Sequence, residues 1–114
     1  MEGEIVSSIL DDVKHQLGLL PEITDFDRTL VIHINAVLAD LTQLGVGPTT
    51  GVMITGNTEE WEILYDDPRL NTVQSYVYLR VRNLWDPPKV GGVIDSMDRQ
   101  IALMEYRMHV EVNF

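Results

Sequence analysis

Two proline-bearing turns, Asp66-Asp67-Pro68 and Trp85-Asp86-Pro87-Pro88, fence off the stretch that most restricts what this chain can become. Asp67 can cap a helix start while Pro68 occupies its first turn, where a missing N–H costs nothing and φ is already helical. At the far end Pro87 and Pro88 bring no backbone donors, and each disfavours α geometry in the residue before it. The spacing predicts one helix of about five turns between them, roughly 25 Å long. Leu70, Val73, Val77, Val81 and Leu84 make one apolar stripe, and Tyr76, Tyr78, Leu79 and Trp85 spread hydrophobic surface over the other faces. A helix apolar nearly all round is buried on more than one side. This one therefore belongs either at the centre of a bundle or against another molecule.

Three further helices follow from periodicity. Over residues 4–18, Val6, Ile9, Leu10, Val13 and Leu17 keep helical spacing, with Ser7, Ser8, Asp11, Asp12, Lys14 and His15 toward the polar side, and Gly18 and Pro21 close the segment. A second helix is expected from Thr24 or Asp25 as cap. Its stripe is Leu30, Ile34, Val37, Leu41 and Leu44, widened by Val31 and Leu38, and Gly45-Val46-Gly47-Pro48 stops it. A last helix is expected from near Gly92, where Val90, Ile94, Met97, Ile101, Met104 and Met108 alternate by four and three residues. Residues 110–114 then form a tail ending in Phe114.

Residues 46–66 are the irregular part. Turn signals surround Val52-Met53-Ile54, which suits a short extended piece, and Thr58 can cap a helical turn through Trp61. Loops of this length tend to be functional or mobile. Trp61, Ile63 and Leu64 require packing, on the chain's own core or on a neighbour. The expected architecture is all-α: a four-helix, bundle-like single domain over residues 1–114, with a long loop between the second and third main helices. A chain of 114 residues has room for one such core.

Composition removes several classes of function. With no cysteine, disulfide frameworks, thiol catalysis and cysteine-bound zinc drop out. No apolar run approaches a membrane span, and Glu2 and Glu4 stand where a signal peptide is basic. The chain reads as soluble and intracellular when made, with no membrane partner. Its formal charge of −10 is uneven. Residues 1–67 carry thirteen acids against Lys14 and Arg28, whereas residues 68–114 carry five acids against six bases. Direct DNA binding through phosphates needs clustered Lys and Arg, which the first half lacks, and is disfavoured. The asymmetry leaves two readings: a solvated acidic face, or an acidic half of one copy meeting the Arg-bearing half of another.

Chemistry-bearing residues are dispersed. His15, His33 and His109 fall on three different helices without metal-ligand spacing, and no phosphate-cradling, dinucleotide or HExxH pattern is present. No enzymatic activity, cofactor or metal is expected. What the sequence does concentrate is interface chemistry. Arg69, Arg80 and Arg82 flank Tyr76, Tyr78 and Trp85 on the central helix, and these residue types are enriched at binding hot spots. Met53 and Trp61 in the loop and the terminal Phe114 complete the candidate oligomer or partner interface.

The stretches Leu41-Thr42-Gln43-Leu44-Gly45-Val46-Gly47-Pro48, Asp66-Asp67-Pro68-Arg69-Leu70-Asn71, Ser75-Tyr76-Val77-Tyr78-Leu79-Arg80-Val81-Arg82 and Trp85-Asp86-Pro87-Pro88 occur in that order. Together with the last helix, they resemble the head-to-tail connector (adaptor) proteins of long-tailed bacteriophages and prophages. That resemblance implies a small helical virion protein, made in the host cytoplasm and ending in the neck of the particle. It implies a homo-oligomeric ring, typically a dodecamer and possible as a monomer in isolation. The ring would sit between the portal protein and the stopper or tail-completion protein, with double-stranded DNA passing through its channel without specific binding. The other reading the residues allow is a small acidic helical regulator of phage origin that binds a host or phage partner through one face.

Overall fold

In the computed structural model, residues 8–65 and 70–112 are described. Val6, the Asp67 cap, Pro68, Arg69 and Phe114 lie outside them. The helices are α1 (Ile9–Gln16), α2 (Asp27–Gln43), the single-turn α3 (Trp61–Leu64), α4 (Leu70–Trp85) and α5 (Gly91–Val112). Among the described residues the only β pairing is an isolated bridge between Ser8 and Glu60. The expected all-α, four-helix architecture with its long loop is present.

Local chemistry sets the helix ends. Ser8 is extended, and its hydroxyl accepts from the Asp11 N–H at 3.2 Å, so it caps α1, which starts at Ile9; residues 4–7 of the expected first helix lie outside the described residues. Gly18 and Gly45, with φ of 81° and 84°, close α1 and α2 by the same device. The N–H of Leu19 returns to the Lys14 carbonyl and that of Val46 to the Leu41 carbonyl, while each glycine N–H bonds three residues back. These are paired Schellman closures, and buried Val46 adds the apolar contact that accompanies them. The start of α2 departs from expectation. Its N-cap is Phe26, without a side-chain cap, and Thr24 contributes only its carbonyl, to the Asp27 N–H. α5 also runs further than its stripe suggested, to Val112.

α4 lies at the centre and packs against α2, α5 and α1. Val73, Tyr76, Val77 and Val81 are buried, which accounts for apolar character on more than one side. Leu84 leaves the predicted stripe and is 47% exposed. The core also takes Leu30, Ile34, Val37, Leu38 and Leu41 from α2 and Ile9, Leu10 and Val13 from α1.

The long loop is packed on this core. Asn35 of α2 grips the backbone of Ile54 from both sides, donating to its carbonyl at 3.0 Å and accepting from its N–H at 2.8 Å. That double bond satisfies a buried backbone pair as a strand neighbour would. Val46, Val52 and Ile54 are buried beneath it. Trp61 is fully buried and donates its indole N–H to Asp12 at 3.0 Å, which settles its packing on the chain's own core.

Lys14 corrects the expected polar side of α1, since it is only 1% exposed. Its ammonium reaches the carbonyls of Pro21 at 3.0 Å and Ile23 at 2.6 Å, and the carboxylate of Asp27 at 2.9 Å. Three acceptors match the three N–H donors of an ammonium group. The lysine thereby fastens the α1–α2 turn to both helices.

Candidate functional site

The candidate residues divide into an internal network and two separate surfaces. Tyr76, buried on α4, donates its O–H to Glu105 of α5 at 2.6 Å and accepts a short hydrogen bond from Arg80. Arg80 in turn bonds Asp40 of α2 at 2.7 Å and stands 3.8 Å from Glu105. Burial, and next the bond to Glu105, push the Tyr76 phenol far above its ordinary pKa. Desolvation alone would lower the Arg80 value, but Asp40 and Tyr76 more than offset it and keep the guanidinium charged. Tyr76 and Arg80 thus join α2, α4 and α5. Tyr76, like Trp61, is fully buried within the subunit, whereas the expected contact surface needs exposed side chains.

Tyr78 and Arg82 face outward one turn apart, and Arg82 donates to the Tyr78 hydroxyl at 3.0 Å. Trp85 is half-buried, its ring meeting Phe26 edge-on with centroids 5.1 Å apart. Arg69 and Phe114 lie outside the described residues.

The first surface forms where α4 turns into α5. The Asp86 N–H makes the last helical bond of α4, to the Arg82 carbonyl, before Pro87 and Pro88 interrupt it, and the Val90 carbonyl accepts from Val93 and Ile94 to begin α5. The two helices leave an open cleft of about 480 Å³ lined by Leu79, Arg82, Pro87, Pro88, Val93 and Met97, with Asp86 and Lys89 beside it. The α5 stripe runs unbroken in sequence but is only half used. Met108 is buried and Ile101 and Met104 pack on the core, whereas Val90 and Ile94 at the other end are 64% and 38% exposed. Val93 and Leu84 widen this uncovered apolar surface.

The second surface lies on the outer side of α2. Ile32, Ala36, Ala39 and Thr42 form the wall of a groove of about 750 Å³ closed by Thr50, Gly51, Val52 and Met53 of the loop. Met53 stands 70% exposed at its edge and Ile32 60%. Gly51, at φ 91°, makes the turn that brings Met53 there, with its N–H on the Pro48 carbonyl at 3.0 Å. Ile32 lies off the core stripe of α2 and is no part of the expected interface. Its signal was a second, shorter stripe, Ile32, Ala36 and Ala39, at spacings of four and three.

These features suit binding by shape and apolar contact. Among the described residues no group of three or more histidine or acidic side chains is arranged to hold a metal ion. No described helix is long and apolar enough to cross a membrane. A family model described as phage connector protein matches residues 9–113. No curated protein and no solved structure matches the chain.

Proposed function

The chain belongs to the phage connector family, a structural family of the virion, and from that premise we propose that it is a ring-forming adaptor of the neck. It would sit between the portal at the capsid vertex and the stopper or tail-completion protein, extending the DNA channel. The observation that carries this reading is the family match over nearly the whole chain. Two unlike apolar surfaces on one small subunit support it, because contacts between unlike faces are those that close into rings. A regulator that binds through one face has no use for the second.

The charge distribution fits the same role. With thirteen acids against two bases in residues 1–67, a ring that turns this half inward repels DNA phosphates and lets the genome slide. Imaging the chain by negative stain with portal rings tests the reading. Annular density stacked on the portal is the expected result. Chains that leave the portal bare at raised concentration overturn it, and a basic channel lining in an assembled ring overturns the sliding argument.

A further inference from the structure

We infer that Met53, with the α2 groove beside it, is the knob that seats in the α4–α5 cleft of the next copy of this chain. The inference rests on the ring reading above and adds which two faces meet.

The two surfaces fit in kind. Met53 is a long, unbranched side chain standing 70% exposed on a loop whose neighbours Val52 and Ile54 are buried, so the backbone beneath it is fixed while its tip is free. Methionine adapts to irregular apolar cavities. The cleft offers such a cavity, with walls of Leu79, Pro87, Pro88, Val93 and Met97. In the opposite sense, the exposed Val90 and Ile94 of α5 make a ridge. The α2 groove, lined by Ala36, Ala39 and Gly51, has the small residues that let a helix approach closely. Each face supplies what the other lacks, and they lie on different elements of one subunit, which produces a head-to-tail contact.

Charge selects a second copy as the occupant. Residues 8–65, which carry the knob, hold nine acids against Lys14 and Arg28, and Lys14 is buried on Asp27. Glu62 is exposed on the loop after Met53, with Glu59 and Glu60 partly so. The cleft is flanked by Arg82 and Lys89 against the single acid Asp86. An acidic knob side and a basic cleft rim attract when they belong to neighbours, and two knobs or two clefts do not.

The absence of cysteine in this chain makes the test clean, since any disulfide between its copies comes from introduced residues. The full chain carrying Met53→Cys and Val93→Cys, both at exposed positions, is mixed with portal rings, oxidised, and run without reductant beside the two single variants. Rings whose chains run as a ladder beyond the dimer, with the single variants remaining monomeric, are the expected result. Rings that form without the ladder, or a ladder that stops at dimer, overturn the pairing of faces and leave the ring reading in place. A parent chain that forms no ring on the portal overturns both. As a second measurement, Met53→Asp and Arg82→Glu each lower ring yield about ten-fold, as expected of hot-spot positions, with the far-ultraviolet circular dichroism of the subunit unchanged. Yields equal to the parent's contradict the inference.

Discussion

Replacing Lys14 by Met removes the charge from the turn between α1 and α2 while keeping the length of the side chain. Three partners lose their donor: the carbonyls of Pro21 and Ile23 and the carboxylate of Asp27. Apart from its ion pair with Lys14, the Asp27 Oδ1 atom is buried and has no hydrogen-bond partner among the described residues. Each stranded carbonyl costs about 1 kcal/mol. Breaking a buried pair by deleting one member costs about 3–5 kcal/mol, but Asp27 is 30% exposed and can turn its second oxygen to water. The net expectation is about 3 kcal/mol of lost stability, or roughly a 10 °C fall in Tm for a domain of this size. Thermal unfolding of the dilute subunit, followed by far-ultraviolet circular dichroism at neutral pH, reads it directly. Adding Asp27→Asn to Lys14→Met should recover part of the loss by removing the uncompensated carboxylate. A Lys14→Met chain melting within about 2 °C of the parent would refute the reasoning, since it would mean that the ammonium group contributes no more than a methyl group in that place.

The three-helix network gives a milder expectation: Tyr76→Phe deletes the bond to Glu105 and strands one Arg80 donor, costing about 1–2 kcal/mol in urea unfolding, and an unchanged midpoint would show that water replaces the phenol. At Gly47, φ is +84° and an added Cβ would stand 2.8 Å from the ring of buried Tyr65, whereas at Gly18, φ +81°, it would meet open space. Gly18→Ala should therefore cost about 1 kcal/mol from backbone strain, and Gly47→Ala about 3 kcal/mol because a buried ring must also move; equal losses would remove the role assigned to Tyr65. Glu59 supplies a pH-dependent contact. Its slight desolvation raises the carboxyl pKa, but hydrogen bonds from the Thr55 hydroxyl and from the backbone of Thr55, Glu59 and Gly56 outweigh that and hold it below 4.5. A carboxyl depressed on folding stabilises above its unfolded pKa and loses that contribution as pH falls through its folded value. Protection of the Thr55 amide against hydrogen exchange should thus be constant near neutrality and fall in acid below 4.5, lose that pH dependence in Glu59→Gln, whose amide oxygen still accepts but does not titrate, and be low at every pH in Glu59→Ala.

Where one helix face did one job, the residues were readable in advance. The α2 stripe, the two glycine closures and the end of α4 before Pro87 and Pro88 all rest on local rules, namely periodicity, positive φ and missing donors, and all are present. Helical spacing puts Lys14 on the polar side of α1 without saying what surrounds it. Only the folded turn brings the Pro21 and Ile23 carbonyls and Asp27 to its tip. Tyr76 and Arg80 carry the residue types of a contact surface, yet serve an internal junction whose acids, Asp40 and Glu105, lie 40 and 29 residues from the partners they bond. The α5 stripe shows the converse. Its regular spacing marks one apolar stripe along its whole length, and the fold covers only the end carrying Ile101, Met104 and Met108. Periodicity identifies an apolar face but not the molecule that covers it.

That uncovered face leads to the central claim, which is that this subunit is completed by copies of itself on the portal. Native mass spectrometry of the chain mixed with portal rings from the same phage measures it most directly. The account predicts a single dominant complex whose added mass is a whole number of 13.0 kDa subunits, enough of them to close a ring. A portal mass that stays unchanged while every copy of the chain remains a free monomer would contradict it.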